Sequence, residues 1–361
     1  MRQFSDAYKG KRVLVTGHTG FKGSWLTLWL SQLGAEVVGI SLAPEVDFNH
    51  WDLLDLEGAV SHNELDIRNS TEVARIFQAT QPEVVFHLAA QPLVRRSYRD
   101  PLETWSTNVM GTACVLEACR QTNSVRAILA VTTDKCYENQ EWAWGYREND
   151  RLGGHDPYSA SKAGSEMVAA SYRSAFFHTS RAPLLATARA GNVIGGGDWA
   201  EDRLIPDLAR SIAAQQSLEI RSPNATRPWQ HVLESLSGYL ILGQKLIEGN
   251  RNFVGAWNFG PARSGNRTVA EVLDKLNSYW SDVKWHKTQA PQPHEANLLY
   301  LDSAKANSQL GWHPVWDLDT TLEKTADWYR AYLDRKSPIS VQQLAEYVED
   351  AKMAQAEWIS V

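Results

Sequence analysis

The chain has 361 residues, 43% of them hydrophobic and 22% charged, with a formal net charge of -6. This mixture excludes a largely disordered chain, and the acidic balance gives no general reason to bind nucleic acid, although it leaves room for a local basic pocket for a phosphorylated ligand. Three cysteines, Cys114, Cys119 and Cys136, form no CxxC pair, so neither a disulfide framework nor a metal site is expected, and a reducing cytoplasm fits best. In chain order, short β-branched runs alternate with segments of helical period: "RVLVTG", "SWLTLWLSQLG", "EVVGIS", "EVARIFQAT", "EVVFHLAA", "TACVLEACRQT" and "RAILAVTT". Strand, helix and strand repeated in this way predict an α/β fold with a doubly wound parallel sheet, whose ligands sit beyond the carboxyl ends of the strands.

The first ten residues, "MRQFSDAYKG", lack the apolar segment of a secretory signal, and no later run is long enough to span a bilayer, so no membrane association is expected. After about residue 190 the texture changes: "GNVIGGGDW" is glycine-rich and "RSPNATRPW" reads as loop. The predicted division is 1–190 for the sheet-bearing domain, with returning segments around 230–260, and 191–361 mainly for a smaller interleaved domain and C-terminal helices. The end, "SPISVQQLAEYVEDAKMAQAEWI", predicts a surface helix. Fifteen tryptophans are expected in the core and at aromatic interfaces, with nucleobase stacking as the alternative.

"GKRVLVTGHTGFKGSWLTLWL" sets Gly17, Gly20 and Gly23 between a strand and a helix. Glycines there let the backbone turn tightly and approach a pyrophosphate, whose charge is favoured by the unpaired N–H groups of the helix start; the alternative is a plain tight turn. The second strand ends at Ser41 where an acidic residue would contact a ribose, so this position does not separate NAD from NADP. No Arg or Lys follows before Arg68 to grip a 2′-phosphate, which favours NAD. In "LDIRN", Asp66 and Ile67 stand where such folds hold adenine, while Asp66 can equally cap the following segment.

"DPYSASKAGSE" places Tyr158 and Lys162 four residues apart, on one face of a helix. A nearby ammonium favours phenolate, so Lys162 is expected to lower the Tyr158 pKa and make a base for a hydroxyl proton. Tyr332 and Lys336 repeat the spacing in a late charged helix and are expected to be coincidence. "AILAVTTDKCY" delivers Thr132, Thr133, Asp134 and Lys135 to the end of a buried strand, either as solvated loop residues or as groups at a site. His87 in "FHLAAQ" is expected to be a hydrogen-bonded structural residue.

In order, "GHTGFKG", "HLAAQ", "STNVMGT", "TTDK" and "YSASK" resemble the extended short-chain dehydrogenase/reductase family, and "RAGNVIGGGDW", "TRPWQHV", "WNFGP" and "LGWHP" extend the likeness over nearly the whole chain. Within that family the chain resembles the nucleotide-sugar 4,6-dehydratases. "TTDKCY", "EWAWGYREND" and "RAGNVIGGGDWAEDR" look like the bacterial branch that acts on CDP-glucose. The resemblance implies a Rossmann-type sheet with a smaller, interleaved C-terminal substrate domain, and a homodimer. It implies tightly held NAD, contacted by Gly17, Thr19, Gly20, Phe21, Lys22, Gly23, Asp66, Ile67, Leu88, Ala89, Ala90, Asn108, Thr132, Tyr158 and Lys162. The implied substrate is CDP-glucose, held by Asn192, Arg203, Leu204, Arg227 and His231, although each arginine can instead be a surface ion pair.

By the same resemblance the enzyme is a hydro-lyase. Hydride passes from C4 to NAD, water is lost across C5 and C6, and the hydride returns to C6, leaving a 4-keto-6-deoxy sugar on its nucleotide. Tyr158 takes the 4-hydroxyl proton, Lys162 holds the nicotinamide ribose, and Thr133 and Asp134 match a Thr-Asp-Glu tripeptide in which the Asp is the acid for the departing 6-hydroxyl. Lys135 stands where that pattern has the Glu that removes the C5 proton. It acts either as a neutral amine base or as an ammonium that stabilises the enolate while another group takes the proton. In "PQPHEANLLY", Glu295, Ala296 and Asn297 stand where other dehydratases have arginines, so His294 and Glu295 would meet the nucleotide differently. The remaining alternatives are a dTDP- or GDP-linked dehydratase, a nucleotide-sugar 4-epimerase that needs no acid for water loss, and a non-catalytic dinucleotide sensor. The product class suits lipopolysaccharide and O-antigen synthesis.

Overall fold

A computed structural model describes residues 2–46, 48–56, 58–288 and 298–360. The late segment carrying His294, Glu295, Ala296 and Asn297 therefore lies outside the described residues. The apolar runs become a 7-stranded sheet. Its strands are β1 (Arg12–Thr16), β2 (Glu36–Ser41), β3 (Val60–Glu64), β4 (Val84–His87), β5 (Ala127–Val131), β6 (Leu184–Ala190) and β7 (Gly255–Phe259). Their spatial order is β7-β6-β5-β4-β1-β2-β3, and every neighbouring pair is parallel. This is a Rossmann-type sheet. Its order reverses between β1 and β4, which opens a crevice at the carboxyl ends of the strands.

Helices on both faces explain why β5 and β6 read as continuous small apolar runs: every residue in them is buried. β3 lies at the sheet edge, and the sequence pattern alone does not reveal it. Its "VSHNE" buries only Val60, so it carries no apolar period to detect. One core cluster packs α1 (Phe21–Gln32) and α2 (Val232–Ile247) with the C-terminal helices against one sheet face, and Trp25, Trp29, Trp257, Trp312 and Trp328 are fully buried in it. The opposite face is covered by helices Ser70–Thr80 and Thr112–Gln121. Most of the tryptophan content thus serves packing, with Trp144 among the exposed exceptions.

Beyond β6 the chain leaves the main sheet. Asn192–Ile194, Thr226–His231 and Asn266–Thr268 form a 3-stranded sheet, and Leu218–Ile220 pairs with Trp285–Lys287. Between these excursions the chain returns as α2 and β7, so the two parts interleave. The C-terminal helix, Ser340–Met353, is more than a surface helix: Leu344 and Tyr347 are fully buried. Tyr347 donates its hydroxyl to Glu234 Oε2 at 2.8 Å, and the same carboxyl accepts from the backbone N–H groups of Val315 (2.9 Å) and Trp316 (2.7 Å). One buried side chain on α2 thereby ties down two later segments. Among the described residues no helix is long and apolar enough to cross a membrane.

Candidate active site

A cleft of 870 Å³ runs along the carboxyl ends of the strands. At one end lies the turn from β1 into α1. Gly17 has a φ of +73°, and a Cβ there would fall 2.7 Å from the Ala89 nitrogen; a Cβ on Gly23 would fall 2.0 Å from the Gly17 carbonyl oxygen. Only glycine fits at both positions. Gly20 caps α1 without a side-chain bond to its first turn, so those N–H groups are left for a ligand at the cleft. The surroundings fit a dinucleotide pyrophosphate: a helix start, no side chain in the way, and Thr19 alongside, its hydroxyl 2.7 Å from that of Ser41.

At the other end lies the turn after β5. Thr133, Asp134 and Tyr158 are all buried and all face the cleft. Tyr158 stands in the first turn of helix Pro157–Ala175, which opens with Asp156 accepting a hydrogen bond from the Ser159 N–H and with Pro157 at its start. Thr133 donates to Asp134 Oδ1 at 3.0 Å. Asp134 Oδ2 is buried and has no partner among the described residues; it lies where Gly191 comes close enough that a Cβ there would sit 3.1 Å away. Burial raises the Asp134 pKa against the pull of Lys135, Thr133, Arg227 and Lys22.

The expectation that Lys162 lowers the Tyr158 pKa is corrected. Lys162 donates to the Val131 carbonyl at 3.1 Å, and burial pushes the Tyr158 phenol up to about 12 despite the Thr133 hydrogen bond and the Arg203 charge. Burial also lowers Lys162 to about 8. Desolvation outweighs the helix-face spacing on which the expectation rested.

Behind these groups lies a network that the sequence reading missed. Glu166 accepts from Thr132 (2.5 Å) and Thr187 (2.8 Å) and forms a two-pronged pair with Arg189 at 2.8 and 2.9 Å. Glu166 follows Lys162 by four residues, as Lys162 follows Tyr158. A glutamate on the same helix face as a buried pair was the available signal. Lys22 is a second unexpected feature: its ammonium lies 3.5 Å from the Tyr239 hydroxyl, and burial and the Arg203 charge lower it to about 7.

Of the residues singled out in the sequence, Gly17, Thr19 to Gly23, Asp66, Ile67, Leu88, Ala89, Ala90, Thr132 to Lys135, Tyr158, Lys162, Asn192, Arg203, Leu204 and Arg227 all line this cleft. Asn108 and His231 do not line it. Asn108 is buried, bonded to the Gln91 backbone at 2.8 and 3.1 Å and to Ser161 at 2.8 Å, which uses both hydrogens of its amide nitrogen. His231 caps α2 by accepting from the Leu233 N–H at Nδ1 and packs edge-on to Trp316, while its buried Nε2 has no partner among the described residues. Asp66 does not cap the following helix, a role taken by Asn69, which accepts from the Glu72 N–H; Asp66 accepts from the Arg68 N–H at 2.8 Å, and its carboxylate is also held by the Arg68 side chain. Arg203 pairs with Asp198 at 2.9 Å, yet stays on the cleft wall. His87 bonds Thr16 (2.7 Å) and Thr112 (3.0 Å), as a structural residue should.

The family model described as GDP-mannose 4,6 dehydratase matches residues 14–325. The chain belongs to that family. It is 47% identical over 349 residues to the CDP-glucose 4,6-dehydratase of Salmonella typhimurium, covering 94% of this chain and 97% of the relative. A solved dTDP-glucose 4,6-dehydratase from Streptomyces venezuelae, with NAD and TYD bound, superposes with a TM-score of 0.75 at 25% identity, over 88% of this chain and 97% of that one. The epimerase Mth375 of Methanothermobacter thermautotrophicus shares the fold with a TM-score of 0.81 at 24% identity, over 92% and 96% of the two chains.

Proposed function

We propose that the protein is a CDP-glucose 4,6-dehydratase, a hydro-lyase that converts CDP-glucose to CDP-4-keto-6-deoxyglucose with tightly bound NAD. The likeness to the Salmonella enzyme over nearly the full length of both chains carries this reading. The cleft supports it, because Tyr158 and the buried carboxyl of Asp134 both line it. A 4-epimerase needs the tyrosine but has no use for a buried acid aimed at a leaving hydroxyl.

When bound, NAD+ supplies a hydride acceptor and donor for the sugar and a positive charge in the cleft. Gly17, Thr19, Gly20, Phe21, Lys22 and Gly23 would hold it at the start of α1, with Asp66, Ile67, Leu88, Ala89, Ala90, Thr132 and Lys162 along the floor. Tyr158 accepts the proton of the 4-hydroxyl. Asp134 protonates the 6-hydroxyl as it departs; burial raises its pKa and so favours the protonated form that this role needs. Lys135, beside it, either takes the C5 proton as an amine or steadies the enolate as an ammonium. Asn192, Arg203, Leu204 and Arg227 receive the diphosphate and nucleotide, for which guanidinium groups suit bidentate contact.

The domain division follows the same logic, with 1–190 and returns around 230–260 serving NAD, and the remainder serving the sugar nucleotide. Leu102, Met110 and Met167, exposed at 80%, 58% and 64%, lie on neighbouring helices and support a homodimer through that face. Three free cysteines support a cytoplasmic enzyme. The product class supports a place in lipopolysaccharide O-antigen synthesis.

Incubation of the NAD-loaded protein with CDP-glucose should give the alkaline absorbance of a 4-keto-6-deoxy sugar, with dTDP- and GDP-linked hexoses turned over far more slowly. Formation of CDP-galactose without loss of water would replace this reading with epimerisation.

A further inference from the structure

The segment "GGGDWAEDR", which follows strand Asn192–Ile194, is clamped from several sides. Gly197 has a φ of +83° and packs so closely on His50 that a Cβ would fall 2.5 Å from its ring, and the Gly196 carbonyl accepts from Trp25 Nε1 at 2.9 Å. Asp198 comes next and is fixed at both ends. Its carbonyl accepts at 2.6 Å from the hydroxyl of Tyr329, a fully buried residue of helix Leu318–Arg335, and its Oδ1 accepts from the Ala200 N–H at 3.1 Å. The remaining oxygen, Oδ2, accepts from Arg203 Nη1 at 2.9 Å. The partners of this ion pair are unlike: the Asp198 side chain is 6% exposed, whereas that of Arg203 is 33% exposed on the wall of the cleft.

A guanidinium carries several N–H donors in a rigid plane, and Asp198 engages one of them. The Arg203 side chain makes no other hydrogen bond among the described residues, so the rest of its fork stays open to the cleft. Arg189 shows the opposite arrangement, with both prongs spent on Glu166 in the interior. An arginine with no anchor spreads over many rotamers and gives up that freedom when it grips an anion, whereas one already held by a single N–H gives up little. We infer that Asp198 is a positioning residue that sets Arg203, before the substrate arrives, with its free N–H groups turned to the diphosphate of the sugar nucleotide. The inference rests on the dehydratase reading above, which gives Arg203 the diphosphate. Asp198 acts here only through Arg203, and through the Tyr329 hydroxyl the mount extends to helix Leu318–Arg335, so the C-terminal part of the chain shares in the aim. The charge of Asp198 opposes an incoming phosphate, so removing it has effects of opposite sign: lost aim weakens the grip on a phosphate, and lost repulsion strengthens it. Positioning requires the first to win.

The test compares NAD-loaded native protein with Asp198→Asn, Arg203→Met and the two combined. It measures KM and kcat for CDP-glucose and the inhibition constants of CDP and of cytidine, which has no phosphate. Aim by Asp198 predicts that Asp198→Asn raises KM and the CDP constant by about 10-fold, while kcat stays within a few-fold of native and the cytidine constant does not move. It also predicts that the double variant binds CDP no worse than Arg203→Met alone, because the two residues act through one contact. CDP held by Asp198→Asn as tightly as by native protein or more so, equal weakening of CDP and cytidine, or losses that add in the double variant would each overturn the inference. If Asp198→Asn does not fold, Tyr329→Phe decides in its place, since it loosens the mount from outside and leaves the ion pair standing. A few-fold rise for CDP with none for cytidine then supports the inference, and native constants overturn it. Native protein turning over CDP-glucose in parallel keeps the two questions apart: its failure would reject the dehydratase reading itself, whereas the outcomes above reject only the placement of Arg203 by Asp198.

Discussion

Lys162 donates to the carbonyl of Val131 at 3.1 Å, so the lysine of the tyrosine–lysine pair is docked on the last residue of β5. It joins helix Pro157–Ala175 to the strand end that delivers Thr132 to Lys135, and its buried ammonium fixes the spacing between the two walls of the cleft. Lys162→Met keeps the length of the side chain and removes the charge and the bond. We expect kcat to fall by about 10²-fold or more and NAD to dissociate on gel filtration, with the protein still folded by circular dichroism. Native turnover with NAD retained would reject both roles.

The Arg189–Glu166 pair is buried on both sides, at 3% and 2% exposure, and carries two parallel hydrogen bonds. Removing one partner leaves an uncompensated charge in a dry site. Glu166→Gln should cost about 3–5 kcal/mol in urea unfolding, far more than any exposed pair on this surface. Because Glu166 also holds the Thr132 hydroxyl, the same variant should lower turnover even where it remains folded. A stability change under about 1 kcal/mol would show that the site is wetter than its geometry implies.

Those two residues show what the sequence made legible and what it did not. The glycine loop, the "TTDK" turn and the "YSASK" helix could be placed because each obeys a local rule of strand end, helix start or helix face, and all three meet in one cleft. Glu166 carries one local sign, its place on the helix face of Tyr158 and Lys162, but Arg189 carries none, and only the packing of that helix on β6 brings them together. Asn108 and His231 lie off the cleft lining for a reason just as hidden from the sequence. Asn108 is held by the Gln91 backbone, and His231 commits Nδ1 to the Leu233 N–H while Nε2 has no partner among the described residues; neither position is visible in a motif. β3 was missed because an edge strand need not alternate.

Lys135 is half-buried on the cleft wall next to Asp134. Lys135→Met separates its two proposed roles from none at all. If Lys135 acts as the amine base, exchange of the C5 hydrogen with deuterated solvent should be lost together with turnover. If it acts as an ammonium beside the enolate, exchange should survive at a rate reduced by about 10²-fold. Normal exchange and normal turnover would remove Lys135 from the mechanism.

Glu234 gives the fold a pH dependence whose sign is set by burial. Its pKa is raised from the ordinary 4.5 to about 7, mainly by desolvation, despite three hydrogen bonds that favour the anion. Below pH 4.5 both folded and unfolded chains hold the proton, and this group contributes nothing to the pH slope. Between 4.5 and 7 the unfolded chain releases it while the folded chain keeps it, so stability falls as pH rises; above 7 the loss is complete and constant. The fall amounts to about 3 kcal/mol. Glu234→Gln removes this titration, so its stability should not follow pH through this window on account of position 234. The decisive quantity is the slope: the stability difference between native protein and Glu234→Gln should shrink by about 3 kcal/mol as pH rises through this window, measured by urea unfolding at each pH. A difference that grows with pH would mean that the N–H donors outweigh desolvation and that Glu234 is ionised in the folded protein.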